Sequence, residues 1–194
     1  AYAQVLNDRL GVPFEKIRIV QGDSDEVPGG LPTVASRSTM MVGGAMLKAA
    51  DEAIRKGRDF AAELLEAASA DIEYAAGDFR VAGTDRAVGW KDLAQEKGRQ
   101  LDTVAAFSAP EMSFPNGCHV CEVEVDPETG VVRVVGYAAV DDVGHVIHET
   151  IVDGQIHGGV AQGLGQVFGE QVVYGEDGQL LTASFMDYPM PRAD

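Results

Sequence analysis

Hydrophobic residues along the chain follow two periods, one typical of helices and one typical of strands. The longest helical pattern runs from about Ser38 to Ala68, where apolar and small residues recur every three or four positions. We predict that its core-facing stripe consists of Val42, Met46, Ala49, Ala53, Gly57, Phe60, Leu64 and Ala68. The same criterion predicts shorter helices over residues 1–10, 90–97 and 152–170.

Strands are predicted where apolar and polar residues alternate or where a short apolar run ends at turn residues. The clearest hairpin spans residues 118–140, with a turn at 126–130 in which a proline presets the bend and Gly130 accepts a positive φ. Valines alternate with glutamates along its first strand, which predicts one buried and one solvated face. Further strands are predicted over 17–20, on both sides of 76–78, over 103–106 and in a last hairpin over 172–185.

Long helices combined with antiparallel hairpins indicate an α+β fold, with the helices packed on an antiparallel or mixed sheet. The length of 194 residues suits one globular unit over residues 1–194. The formal charge of −16 argues against partners such as nucleic acid or an anionic membrane. Two cysteines are too few for a disulfide framework, and no apolar run reaches the length of a membrane span, so we expect a cytoplasmic protein.

The first candidate site is the segment Pro32–Thr39, rich in small and hydroxyl residues, where the long helix begins. Unpaired N–H groups and the positive end of the helix dipole favour an anion at such a place, and Arg37 adds positive charge. Simple N-capping by Ser36 or Ser38 explains the same pattern. Gly43 and Gly44 weaken the early helix, so close packing or a ligand should offset their cost of about 1 kcal/mol each.

The second candidate is the glycine-rich helix, in which Gln155 and Gln162 are seven positions apart and share a face with Gly158 and Gly159. Uncharged amides offer donors and an acceptor, which suits the edge of a pterin or purine. Tight helix packing with incidental glutamines is the alternative. A dinucleotide-binding glycine motif does not fit, because these glycines have the wrong spacing and lie within a helix.

Two further groups of polar residues do not predict a metal site. Residues 141–149 combine acids and histidines, but their order matches no helical zinc motif and a glycine interrupts them. Cys118 and Cys121 have no second pair, and residues three apart on a strand point to opposite faces. We find no serine or cysteine in a nucleophile setting, so no catalytic residue and no metal ligand is assigned.

Several of these segments, in order, resemble the large subunit of molybdenum hydroxylases of the xanthine dehydrogenase, aldehyde oxidase and carbon monoxide dehydrogenase type. The similar segments are residues 22–25, 32–39, 123–130, 141–144, 153–166 and 186–191. The chain departs from the family at His148-Glu149, where Asn-Pro is usual. The resemblance implies that residues 1–194 are an internal fragment, a truncated part of the C-terminal molybdenum-cofactor-binding domain of a larger catalytic subunit.

The resemblance also implies the cofactor, the partners and the site residues. The cofactor is a molybdopterin, expected in its cytosine dinucleotide form, with FAD and [2Fe-2S] clusters on partner domains or subunits and a small-molecule substrate. The catalytic glutamate of the family is expected downstream of Asp194, so the fragment itself should be inactive and apo. A stand-alone module for a nucleotide-like ligand, or an interaction domain, are the alternatives. The implied cofactor-binding residues are Thr33, Ala35, Ser36, Thr39, Gln155 and Gln162.

Overall fold

A computed structural model of the chain describes residues 1–27, 29–30, 32–109, 111 and 113–192. The chain forms two compact units, Ala1–Asn116 and Gly117–Asp194. The assignment of residues 1–194 to one truncated domain stays a prediction. In the described part of the chain, no helix combines the length and the apolar character that crossing a membrane requires.

The first unit packs helices against a small antiparallel sheet, as the α+β prediction requires. The sheet has the order β1-β2-β3, and Phe79 on its central strand is paired with Tyr74 on one side and Val88 on the other. The helix over residues 90–97 has the predicted bounds. The elements are α1 (Tyr2–Leu10), α2 (Ser38–Leu64), β1 (Ile72–Ala75), β2 (Asp78–Val81), β3 (Ala87–Gly89) and α3 (Trp90–Lys97), with short 3-10 turns at Phe14–Lys16, Ser69–Asp71 and Gly98–Leu101.

The core of the first unit is centred on the ring of Phe79, which is fully buried and contacts Tyr74 and Trp90 at centroid distances of 4.7 and 4.8 Å. Leu10 of α1 joins this cluster, because its carbonyl accepts hydrogen bonds from the Tyr74 hydroxyl and from Trp90 Nε1. Burial raises the pKa of Tyr74 above its ordinary value. These contacts fix α1, the sheet and α3 around one aromatic centre.

The predicted stripe of α2 is only partly correct. Gly57 is buried and Phe60 is half-buried against the core, but Val42, Leu64 and Ala68 are exposed. Val42 and Leu64 are 38% and 41% exposed. The face that meets the sheet carries small residues, since the bulky side chains that fill the core come from the sheet and from α3. The buried residues of α2 are Gly43, Ala50, Ile54, Gly57, Ala61 and Ala62.

The strands predicted over 17–20 and 103–106 are also wrong, since both segments are irregular. Ile17 ends a 3-10 turn, with its N–H bonded to the carbonyl of Phe14. The second segment is held along α2 by side chains instead of by a strand ladder. Thr103 donates to the carbonyl of Ala49 at 3.1 Å, and Lys56 donates to that of Asp102 at 2.6 Å.

The second unit consists of a hairpin, a helix and an irregular end. The hairpin pairs β4 (Asn116–Val125) with β5 (Val132–Asp142), and α4 spans Glu149–Phe168. At the turn, the carboxylate of Asp126 accepts the N–H of Glu128 at 2.8 Å, a bond that lowers the pKa of Asp126. The last predicted hairpin forms only one isolated bridge, between Tyr174 and Leu180.

Candidate functional site

The backbone at the start of α2 is strained. Ala35 and Ser36 have positive φ values of 55° and 51°, which cost roughly 1–2 kcal/mol per non-glycine residue. Arg37 returns to the right-handed region with φ −111° and ψ 0°. Such a change of hand turns consecutive N–H groups toward one side, a concave arrangement that binds anions. Strain held at an exposed helix start is typical of a functional site.

The capping alternative for this segment is wrong. Arg37, rather than Ser36 or Ser38, is the N-cap residue of α2, and no side chain forms a cap hydrogen bond. The carbonyl of Arg37 accepts the N–H of Met41, the first intrahelical bond. Among the described residues, no capping side chain occupies the amides of the first turn, which lie at the positive end of a 27-residue helix. All four predicted loop residues, Thr33, Ala35, Ser36 and Thr39, are exposed.

The two glycines early in α2 have different surroundings. A Cβ on Gly44 would lie 2.7 Å from ring atoms of Phe107, so close packing explains this glycine. Lys48 covers the same ring at 5.3 Å from its centroid. A Cβ on Gly43 would meet nothing within 4 Å. Packing inside the unit thus offsets the cost of Gly44 to the helix, but no described contact offsets the cost of Gly43.

One face of α4 carries the predicted glutamines, and it is open. Gln155 and Gln162 are both exposed and lie about 20° apart around the helix axis. Gln166 lies on the same face, and the sequence reasoning missed it as a site residue although its spacing of eleven from Gln155 gives the same direction. Side chains added to Gly158 or Gly159 would meet nothing within 4 Å. The close approach that we predicted at these glycines is therefore not made by any described residue.

The other side of α4 faces the hairpin across an open groove of about 500 Å³. Neither Gln155 nor Gln162 lines it, although Gly159, which was predicted on their face, does. Alternation along β4 is as predicted, but the apolar face is not buried, and Val123 remains 49% exposed. The residues lining the groove are His119, Cys121, Val123, Val132, Val134, Tyr137, Gly159, Val160, Gly163, Leu164, Val167 and Phe168.

A hydrogen-bonded cluster lies at one end of this groove. His119 Nε2 is 3.1 Å from Asp141 Oδ2, and His119 Nδ1 is 3.0 Å from the Tyr137 hydroxyl. Val134 and Tyr137 of β5 both line the groove. Cys118 and Cys121 are free and exposed, and only Cys121 lines the groove. Among the residues with described positions, no group of three or more His, Cys, Asp or Glu side chains could hold a metal ion.

Comparison with known proteins assigns this arrangement to a family. Residues 1–194 match the profile described as the molybdopterin cofactor-binding domain. The chain belongs to the molybdopterin cofactor-binding domain family. The resemblance noted from the sequence motifs is thereby confirmed over the whole chain.

Relatives and solved structures of this family agree with the fold. The chain is 37% identical to the 6-hydroxypseudooxynicotine dehydrogenase complex subunit gamma of Paenarthrobacter nicotinovorans, over 98% of this chain and 25% of that protein. It is 35% identical to the carbon monoxide dehydrogenase large chain of Afipia carboxidovorans, over 99% of this chain and 25% of that one. A crystal structure of Cu,Mo-CO dehydrogenase superposes with a TM-score of 0.86 at 34% identity, covering 99% of this chain and 25% of that chain.

A structure of quinoline 2-oxidoreductase from Pseudomonas putida 86 also superposes, with a TM-score of 0.83 at 34% identity, covering 99% of this chain and 26% of that one. These similarities confirm the α+β fold of a molybdenum-cofactor-binding domain. The chain spans about a quarter of the length of these relatives. The predicted loop residues belong to the first unit of the molybdopterin-binding chain and the predicted glutamines to the second.

Proposed function

We propose that this chain forms part of the cofactor site of a molybdenum hydroxylase, an oxidoreductase that hydroxylates aldehydes, purines or N-heterocycles with water as the oxygen source or oxidises carbon monoxide. The observation that carries the proposal is the strained, uncapped start of α2, with left-handed Ala35 and Ser36, in a member of the molybdopterin-binding family. Strain of this kind persists only where the surrounding structure or a ligand compensates for it.

In this proposal, the loop holds the phosphate end of the cofactor. The N–H groups following Ala35 and Ser36 converge on the anion, Arg37 contributes charge, and the hydroxyls of Thr33 and Thr39 are within reach of an extended ligand. The cytosine dinucleotide form of the cofactor would present a pyrophosphate to this loop. The charge distribution supports a phosphate site at this loop rather than in residues 117–194, because those residues hold 13 acidic residues against two arginines and no lysine. A negative surface of this kind repels phosphate.

The glutamine face of α4, in the second unit, is proposed on its own as a contact surface for an uncharged pterin ring. Gln155 and Gln162 supply amide donors and acceptors to the pterin ring, and Gly158 leaves room for the ring to approach the helix backbone. When bound, the molybdenum centre supplies the redox chemistry. The residues of this chain bind and orient it. We place the glutamate base, the FAD and the [2Fe-2S] clusters outside these residues, in other parts of the large subunit and in partner subunits of a cytoplasmic enzyme.

Two alanines with the same backbone conformation test the loop assignment in the complete polypeptide. Ala35→Val and Ala76→Val each place a β-branched residue at a positive φ, of 55° and 50° respectively. Both should lose similar stability, roughly 1–3 kcal/mol. Only Ala35→Val should lose molybdenum and extractable pterin, by roughly tenfold or more, because one charge-assisted hydrogen bond contributes about 1.5–3 kcal/mol.

Equal molybdenum contents in the two variants would refute the loop assignment. A complete polypeptide that is free of metal but binds a free nucleotide would instead support the stand-alone nucleotide module. The proposal also expects no turnover by the 194-residue chain alone. Oxidation of an aldehyde, a purine or carbon monoxide by that chain would contradict the placement of the base outside it.

A further inference from the structure

Glu170 follows the C-terminal end of α4, which is an unfavourable place for a carboxylate. The C-terminal end of a helix carries the negative part of its dipole, and the last turn of α4 contains no basic residue. Residues 117–194 hold 13 acids against two arginines and no lysine, and neither arginine takes part in an ion pair of the described residues. The negative potential at Glu170 therefore favours a group that is rich in hydrogen-bond donors.

The side chain of Glu170 is held against the helix in spite of this potential. It is half-buried, and its carboxylate lies over Gly165, the one buried residue of α4. A Cβ on Gly165 would lie 2.5 Å from Glu170 Oε1 and 2.8 Å from Cδ of Pro191. The glycine thus makes room for the carboxylate, and the proline packs at the same place. Packing inside the second unit therefore fixes the position of this charge.

The carboxylate of Glu170 lies beside the glutamine face of α4. Gly165 is three positions after Gln162, so the two residues are neighbours on the helix surface, about 60° apart around its axis. Gln166 is four positions after Gln162 and is the next neighbour on that face. A flat ligand that meets the glutamine amides therefore also reaches the carboxylate.

We propose that Glu170 binds the amino-pyrimidine edge of the pterin and thereby sets the direction in which the ring lies on the glutamine face. The inference rests on the proposed function. This edge presents a ring N–H and an amino group side by side, and two parallel donors match the two oxygens of a carboxylate, as they do in arginine–carboxylate pairs. The uncharged amide of Gln162 then bonds to another part of the heterocycle. The phosphate arm of the cofactor points away from Glu170, because the two negative charges repel each other.

A charge-neutral replacement in the complete polypeptide tests this role. Glu170→Gln removes the charge at constant shape, and Glu176→Gln removes an exposed acid of the same unit as the control. We expect Glu170→Gln to lower both molybdenum and extractable pterin by about tenfold or more, because a charge-assisted hydrogen bond is lost. Glu176→Gln should keep the wild-type content of both. Wild-type molybdenum in the Glu170→Gln variant would overturn the proposal.

The stability of the cofactor-free polypeptide separates a ligand contact from a purely structural one. A carboxylate that only supports the fold would lower the urea midpoint of unfolding when it is replaced. A carboxylate kept for a ligand at the negative end of a helix is unfavourable without that ligand. Glu170→Gln should therefore unfold at the same or a higher urea concentration than the wild type. A lower midpoint that accompanies the loss of cofactor would contradict the assigned role.

Gly165→Ala reaches the same carboxylate by a second route, because the new Cβ must displace it. Alone, this variant should also deplete molybdenum, and in the Glu170→Gln background it should cause little further loss. Losses that simply add would show that the glycine does not act through Glu170. A wild-type polypeptide without molybdenum would refute the proposed function, whereas molybdenum that persists in both single variants refutes only the role of Glu170.

Discussion

Replacement of Gly57 by alanine tests whether the aromatic centre of the first unit limits how closely α2 approaches the sheet. A Cβ at this position would lie 2.8 Å from Cε1 and 3.1 Å from Cε2 of Phe79. The Phe79 ring is fully buried and contacts both Tyr74 and Trp90, so it has little room to move away from the new methyl group. The new methyl group must therefore push α2 and the sheet apart.

The expected magnitude follows from a comparison with Gly43, which lies in the same helix. Alanine is better than glycine in a helix by about 1 kcal/mol, and this gain is common to both positions. At Gly43 nothing lies within 4 Å of the new Cβ, so Gly43→Ala should stabilise the chain by about that amount. At Gly57 overpacking costs about 1–3 kcal/mol. The free energies of unfolding of the two variants should therefore differ by about 1–3 kcal/mol.

The fluorescence of Trp90, the one tryptophan of the chain, reports on this centre directly. Urea unfolding of the wild type and both variants, followed at this fluorescence, gives the three free energies. The double variant Gly57→Ala, Phe79→Leu should lose less stability than the sum of the two single variants, because the smaller side chain leaves room for the methyl group. A Gly57→Ala variant as stable as Gly43→Ala would refute the packing argument.

Two further predictions concern the alkaline stability of the chain and the open face of α4. Because burial raises the pKa of Tyr74, its contribution is complete below the ordinary tyrosine pKa and is lost as pH rises through the raised value. Tyr74→Phe should cost about 1 kcal/mol at neutral pH and flatten the stability curve above about pH 10, as urea titrations at several pH values would show. Gly158→Leu should leave the unfolding midpoint unchanged or raised, since nothing lies within 4 Å, but deplete the molybdenum of the complete polypeptide. Full molybdenum in that variant would exclude a ligand at this face.

Elements with local signals could be predicted from the sequence, and those that depend on a partner could not. The hairpin was predicted from the proline and Gly130 in its turn, and α3 was predicted from a short segment with a helical pattern. The strand predicted at 17–20 failed because an apolar run forms a strand only beside another strand. The stripe of α2 was displaced because apolar character shows which residues can be buried, but not where large partners such as Phe79 will stand.

The candidate site shows the same limit at the level of single residues. The shared face of Gln155 and Gln162 follows from helical geometry alone. The left-handed backbone at Ala35 has no counterpart in the sequence, since alanine, unlike glycine, carries no sign of a positive φ. The groove was missed because alternation along β4 predicts an apolar face but not whether the same chain covers it.

The uneven distribution of lysine determines how the chain can be attached to a surface. All five lysines lie before residue 98, and none follows Asn116. Coupling through lysine amines would therefore attach the chain through its first unit and leave the side chains of the second unit chemically unmodified. A cofactor or a partner passed over such a surface would meet an unmodified second unit, so the attachment suits direct measurements of what that unit binds.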